Sequence, residues 1–414
     1  MTTATTTEPG AVGMHAGRLA RIDRALEPFV TSGTIAGYAT LVARRGSVVH
    51  RSTRGHRDRE AGVEMTEDTI FRIYSMTKPI VSTALMLLHE EGRFLLDQPV
   101  ATYLPAFASV KVRADGGGLE DPARPPTIGD LLAHTSGLTY DFMVDNPVAQ
   151  LYREHRIMND ATRSLAECVE AIAELPLAFH PGSRWHYSVG IDVAARLIEV
   201  IAEQPLGDFL ADRLFEPLGM TDTGFGIADG ADDRLSAMYG LPDLVGEGFH
   251  GGKLVEAALA GFNERIDVAE TYPTKTPDVF QRGGLGLFST IDDYFRFAQM
   301  LGSGGTHQGE PIIGRKTLEL MHSNRVPEAL LPFEIMGMAN PGYGFGLGSR
   351  VLLDVAASNR CGSAGEFGWA GAAKTYFWVD PAEDLVAVLM SQYMTGPQSP
   401  EVAFRNAVYA AIVD

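Results

Sequence analysis

The 414-residue chain has only two cysteines, and neither Cys168 nor Cys361 belongs to a C-x-x-C pair. A disulfide framework and a cysteine-held zinc site are thereby excluded, and both thiols are expected in the core. No apolar run is long enough to span a bilayer, and the opening MTTATTTEPGAVG lacks the charged and apolar regions of a signal peptide. The expectation is a cytoplasmic protein. Basic blocks are missing too: a formal net charge of -18 leaves nothing to hold a phosphate backbone or an anionic membrane, so neither partner is expected. The eleven histidines include no H-E-x-x-H pair, so no hydrolytic metal is expected. No G-x-S-x-G occurs, which removes the nucleophile elbow of an α/β-hydrolase. GYGFGLG, Gly342 to Gly348, lacks the spacing of a dinucleotide loop and reads as a strand passing close to another backbone. No repeat of roughly 20 to 50 residues is present.

What is there is a globular composition, 45% hydrophobic and 21% charged, in a chain long enough for two or three domain-sized units. Leu19, Ile22, Leu26 and Phe29 have helical spacing, with Gly33 as a stop. GYATLVARRGSVVHRSTRG reads as two short strands turning at Arg45 and Gly46, and Ile80 to Glu91 as a buried helix ending at Gly92. From about Pro105 to about Gln281, helical stretches such as LAECVEAIAEL and SVGIDVAARLIEVIAEQ dominate. Strand-like runs return in GYGFGLGSRVLL, AAKTYFWVDP and LVAVLMSQY, before a last amphipathic helix in EVAFRNAVYAAIV. This order predicts an α/β (α+β) fold: an antiparallel sheet built from both ends of the chain and flanked by helices, plus a mostly helical domain. The boundaries expected are residues 1–104 and 283–414 for the sheet domain and 105–282 for the helical one.

The chain holds only six lysines, at 78, 111, 253, 275, 316 and 374, and Lys78 alone has a serine three positions before it. Pro79 lacks an N–H and clashes with a preceding turn, so the helix must start near Ser75. There the free N–H groups and the helix dipole favour negative charge, which suits a nucleophilic oxygen and the oxyanion it generates. At i and i+3, Ser75 and Lys78 share a face. A lysine at the foot of an apolar helix loses hydration, which favours the neutral amine and lets it take the serine proton. S-x-x-K is a short pattern; its weight here comes from its position on a buried helix.

Five segments follow in order: YSMTKP (Tyr74 to Pro79), LLAHTSGL (Leu131 to Leu138), WHYSVG (Trp185 to Gly190), RGGLGLFST (Arg282 to Thr290) and GWAGAA (Gly368 to Ala373). With them the chain resembles the serine β-lactamase and penicillin-binding protein superfamily, and within it the family VIII carboxylesterases, which look like class C β-lactamases. The resemblance implies Ser75 as nucleophile, Lys78 as base or proton relay, and Tyr187, matching the first residue of the Y-x-N element, as a second proton-transfer group. A phenol beside an ammonium ion is easier to deprotonate, so the two can share one proton. The sequence does not choose between them as base. Trp369 to Gly371 matches the W-x-G that stands where β-lactamases carry K-T-G. By the same match the backbone N–H groups of Ser75 and Ala372 form the oxyanion hole. The resemblance places the segment containing His134 in a structural loop, and a lone histidine is more often scaffold than catalyst.

The departures point to the substrate. Trp369, Ala370 and Val189 stand where β-lactam-hydrolysing relatives carry a lysine, a threonine and an asparagine that hold the drug's carboxylate and amide. A site without its cation loses affinity for a carboxylate, so a small neutral ester is the expected substrate, bound beside Trp369, Ala370, Gly371 and Val189. The expected activity is a cofactor-free serine carboxylesterase whose chain-length preference is set by the helical part, including the region of Tyr140 to Tyr152. Alternatives in the same fold are a β-lactamase or D-alanyl peptidase and an acyltransferase. A non-turnover binding or sensor module is the alternative of another class.

Overall fold

The computed structural model describes residues 6–143, 146–158, 160–240, 264–394 and 400–414. The turn expected at Arg45 and Gly46 joins β1 (Gly37–Arg44) to β2 (Ser47–Asp58), with φ of 51° and 73° at the two turn residues, as a tight antiparallel hairpin requires. These strands are 8 and 12 residues long rather than short. The histidines and arginines along β2 are partly buried or, at Arg54, exposed, and they hide its extent from a reading by hydrophobic alternation.

β3 (Val63–Glu64), β4 (Tyr343–Phe345), β5 (Arg350–Leu352), β6 (Phe367–Gly371), β7 (Thr375–Asp380) and β8 (Leu385–Met390) complete an eight-stranded sheet in the order β4-β5-β6-β7-β8-β1-β2-β3. Its pairings are antiparallel, and Ala39 of β1 lies opposite Met390 of β8, so the two ends of the chain share one sheet, as expected. The helices that position the site or cover the sheet are α1 (Arg21–Thr31), α2 (Thr77–Glu90), α3 (Leu165–Ala173), α4 (Gly190–Ala202), α5 (Ile291–Gly302) and α6 (Pro400–Tyr409). Both faces of the sheet are covered. Tyr376, Trp378, Leu385, Ala387 and Leu389 pack with Ile22, Leu26, Phe404 and Val408 of α1 and α6. The alternate residues Phe377, Val379, Val386, Val388 and Met390 belong to the core shared with α2 and α5.

A single 3₁₀ turn, Tyr74–Met76, leads into α2, which places Pro79 in the first turn as expected. Residues Thr77 to Leu88 are all buried, and Gly92, at φ 74°, ends the segment. α3 opens with a reciprocal capping box between Ser164 and Glu167. The stretch from 105 to 282 also holds two small antiparallel strand pairs, Val112–Arg113 with Leu119–Glu120 and Met238–Gly240 with Glu264–Ile266. Leu235 bridges to Ile70 and Tyr239 to Tyr393, so this part of the chain returns to the elements around the sheet.

Cys168 is buried as expected, but Cys361 is exposed. It lies in the loop before β6, where its carbonyl accepts Arg405 Nε at 2.6 Å while the thiol faces outward. Among the described residues no helix is long and apolar enough to cross a membrane.

Candidate active site

Tyr74 adopts φ 44°, a left-handed conformation that costs a non-glycine residue free energy. Its buried ring, 4.7 Å from that of Tyr272, fixes it there, and the turn presents Ser75 half-buried at the foot of α2. Lys78, one turn on, has 0% exposure. Its Nζ donates to Ser75 Oγ at 3.0 Å and to the Gly284 carbonyl at 2.6 Å. The Tyr187 hydroxyl donates to the same Ser75 Oγ at 2.6 Å, and Lys78 Nζ lies 4.7 Å from the centre of the Tyr187 ring. The serine oxygen therefore sits between an amine and a phenol. This geometry allows a proton to leave it for either group.

Tyr187 precedes α4, and aromatic rings hold it in place. The centres of Tyr140, His134 and Trp369 lie 5.1, 5.0 and 5.6 Å from its own, and Trp185 stacks parallel at 6.4 Å. His134 is completely buried, with Nδ1 3.2 Å from Ser188 Oγ. Burial, aided by Lys78 and His186, pushes its imidazole well below the ordinary histidine range, so it is a neutral buttress at neutral pH.

The β6–β7 turn forms the opposite wall. A Cβ on Gly371 would overlap the Ile73 carbonyl, and Thr375 Oγ1 donates to that carbonyl at 3.3 Å, so the turn presses directly on the residues before Ser75. Neither the Ser75 nor the Ala372 N–H donates to a backbone carbonyl among the described residues. Trp369 is buried edge-on to Phe345 at 5.1 Å, and Ala370 is exposed. Val189 has 0% exposure and belongs to the apolar cluster that also holds Tyr187 and Trp369. Its N–H donates to the Thr139 carbonyl at 3.2 Å, and it holds the N-cap position of α4 without a side-chain hydrogen bond.

The sequence reading missed Asp192 and the role of Arg282 to Gly284. Gly283 fits against α4, where a Cβ would overlap the Ile191 carbonyl and lie 2.6 Å from Ala195 Cβ. A Cβ on Gly284 would overlap Asp192 Oδ2 and lie 2.6 Å from the Tyr140 hydroxyl. The paired glycines thus bring the Gly284 carbonyl to Lys78 while Gly284 N–H donates to Asp192 Oδ1 at 3.0 Å. Burial raises the Asp192 carboxyl above the ordinary range, against the opposing pull of that N–H, Lys78 and Arg282. The available signal was RGG itself, which demands a close backbone neighbour without naming it.

A serine so placed, on an antiparallel sheet flanked by helices, defines a serine hydrolase. The chain belongs to the Beta-lactamase family, whose profile matches residues 22–412. It is 35% identical to Protein Rv1367c of Mycobacterium tuberculosis over 87% of each chain. It is 32% identical to Esterase EstB of Burkholderia gladioli, over 99% of this chain and 100% of that one. Among solved structures, EstCE1, described as a hydrolase with promiscuous acyltransferase activity, superposes with a TM-score of 0.78 at 26% identity, covering 95% of this chain and 99% of its own. The superfamily resemblance carried by the five segments and the predicted fold are both borne out.

Proposed function

We propose that the protein is a carboxylesterase that cleaves small neutral esters through an acyl-enzyme on Ser75. The observation that carries this reading is the Ser75 oxygen held at 3.0 Å from Lys78 Nζ and 2.6 Å from the Tyr187 hydroxyl. Ser75 Oγ attacks the ester carbonyl as its proton passes to the Lys78–Tyr187 couple. The tetrahedral oxyanion accepts the N–H groups of Ser75 and Ala372, each such donor lowering the barrier by roughly 3 kcal/mol. Collapse expels the alcohol, which takes the proton from the couple, and water then releases the acid. The sheet part, 1–104 and 283–414, supplies Ser75, Lys78 and the Trp369–Ala372 wall; the helical part, 105–282, supplies Tyr187.

Neutral esters are favoured because the indole of Trp369 and the methyl of Ala370 replace groups that would bind a carboxylate. A cavity of about 650 Å³ adjoins the rings around Tyr187; Phe142, Phe179 and Trp185 line it together with charged Arg113, Glu120 and Arg184, and its apolar side offers a recess for an acyl or alcohol substituent. Residues 144–145, within the span expected to set chain length, lie outside the described residues. The similarity to Esterase EstB supports ester chemistry.

The test compares p-nitrophenyl acetate and butyrate with nitrocefin. Ester cleavage abolished by Ser75→Ala is the expected result. Faster nitrocefin turnover would move the reading to a β-lactamase, transfer of the acyl group to an added alcohol in preference to water would move it to an acyltransferase, and no turnover of any of these would leave a binding module.

A further inference from the structure

Asp192 is a carboxylate with 1% exposure whose Oδ2 has no hydrogen-bond partner among the described residues. Removing a charge from water is costly unless a counter-charge stands near. Two cations face it from other elements: Lys78 at the foot of α2 and Arg282 of the RGG segment. Arg282 directs its guanidinium elsewhere, to the carbonyls of Gln281, Asp160 and Arg163. Lys78 instead donates to the carbonyl of the same Gly284 whose N–H Asp192 accepts. A side chain at 284 is excluded by Asp192 Oδ2 and the Tyr140 hydroxyl, which is also buried without a partner among the described residues. Gly284 is therefore clipped between the carboxylate and the amine.

On the reading that Ser75 is the nucleophile, we propose that Asp192 is a positioning residue for the reaction: it fixes the Gly284 carbonyl against Lys78 and supplies the negative charge that makes the Lys78–Tyr187 couple basic enough to hold the serine proton. A buried amine without such a charge nearby gives up its proton readily and is a weak acceptor. The other titratable groups facing this pair stay neutral around pH 7. Burial pushes the Cys168 thiol up to about 11 and the Tyr140 phenol well above its ordinary range, and it holds the His134 imidazole well below.

The test is the pH dependence of Ser75 phosphonylation by a fluorophosphonate, in which Oγ forms a bond to phosphorus, fluoride leaves, and the proton goes to the couple. Asp192→Asn in the full chain, which keeps the shape and an acceptor for Gly284 N–H but removes the charge, is expected to move the acid limb of labelling down by about one pH unit and to lower the plateau rate roughly tenfold. Asp192→Glu, with the charge kept, is expected to leave the limb in place. An unmoved limb in Asp192→Asn, or an equal displacement in Asp192→Glu, overturns the proposal. So does the failure of both Asp192→Asn and Asp192→Ser to fold by circular dichroism, because the carboxylate then serves the fold. A wild-type chain left unlabelled at Ser75 overturns the parent reading of the nucleophile; labelled wild type with an unmoved limb overturns only the role of Asp192.

Discussion

Lys78 and Arg405 are both enclosed cations, 0% and 2% exposed, on opposite sides of the same sheet, and they are accommodated differently. Arg405 meets a carboxylate directly: it donates to Glu366, to the Cys361 carbonyl at 2.6 Å, and covers the Trp378 ring at 5.2 Å. Glu366 is completed by the Tyr409 hydroxyl at 2.8 Å. Among the described residues Lys78 donates to a hydroxyl and a carbonyl, and the carboxylate facing it, Asp192, is bound to Gly284 N–H rather than to the amine. A guanidinium keeps its charge in any surroundings, so the carboxylate at Arg405 fixes its position. A lysine amine is able to give up and take a proton, and at Lys78 no carboxylate among the described residues contacts it directly. The first arrangement ties α6 to the sheet; the second is suited to acid–base chemistry.

Substitution at each cation separates the two roles. Lys78→Met is expected to lower kcat/KM for a p-nitrophenyl ester by roughly a thousandfold or more, the scale of losing a general base. Its melting temperature should stay level or rise, since an apolar side chain of similar size replaces a buried charge. Glu366→Gln should behave in reverse: about 3–5 kcal/mol of stability lost in urea titration, because the guanidinium is left buried without its partner, with unchanged kcat/KM per folded molecule. A Lys78→Met chain that melts as early as Glu366→Gln would erase the distinction.

Gly371→Ala sharpens it from the other wall of the site. The added methyl would overlap the Ile73 carbonyl and must push the β6–β7 turn away from the residues before Ser75. Displacing the Ala372 N–H is expected to cost roughly a hundredfold in kcat with a smaller change in KM, as loss of an oxyanion donor does. A dominant KM effect would instead place this turn in ground-state binding.

How far these features are legible in the sequence depends on how local their causes are. Ser75 and Lys78 lie one helical turn apart, so their contact follows from helix geometry and from Pro79 fixing where the helix begins. β7 and β8 announce themselves because both faces are covered and every residue between Thr375 and Asp380, and throughout β8, is apolar or aromatic. Matching a motif gives the order of Val189 along the chain but not its surroundings, and the N-cap position of α4 that it holds, with no exposure, is set by packing. Asp192 escaped notice because an acid in the first turn of a helix reads as an ordinary partner for the helix dipole; only the packing of Gly283 and Gly284 reveals what it faces. Cys361 was misjudged on composition, since its exposure is decided by a loop whose backbone, not its thiol, makes the contact.

The smallest effect concerns acid sensitivity of the scaffold as against the site. Burial lowers the imidazoles of His50 and His186 from 6.5 to about 4. Between those values the unfolded chain binds protons that the folded chain does not, so stability is complete above about pH 6.5 and is lost as the pH falls toward 4. Asp141 and Asp293 act in the opposite sense: burial raises both carboxyls to about 6, so they add stability as the pH falls below that. The histidine window opens first, and melting temperature should fall between neutral pH and about 5.5. His50→Gln, on β2 and bonded to Thr40 at 3.0 Å in the native chain, should flatten that fall by about 1–3 °C without moving the pH profile of ester cleavage. If the ester profile moves with it, protonation of the sheet and of the Lys78–Tyr187 couple are linked, and the separation between a structural and a reactive set of buried charges is lost.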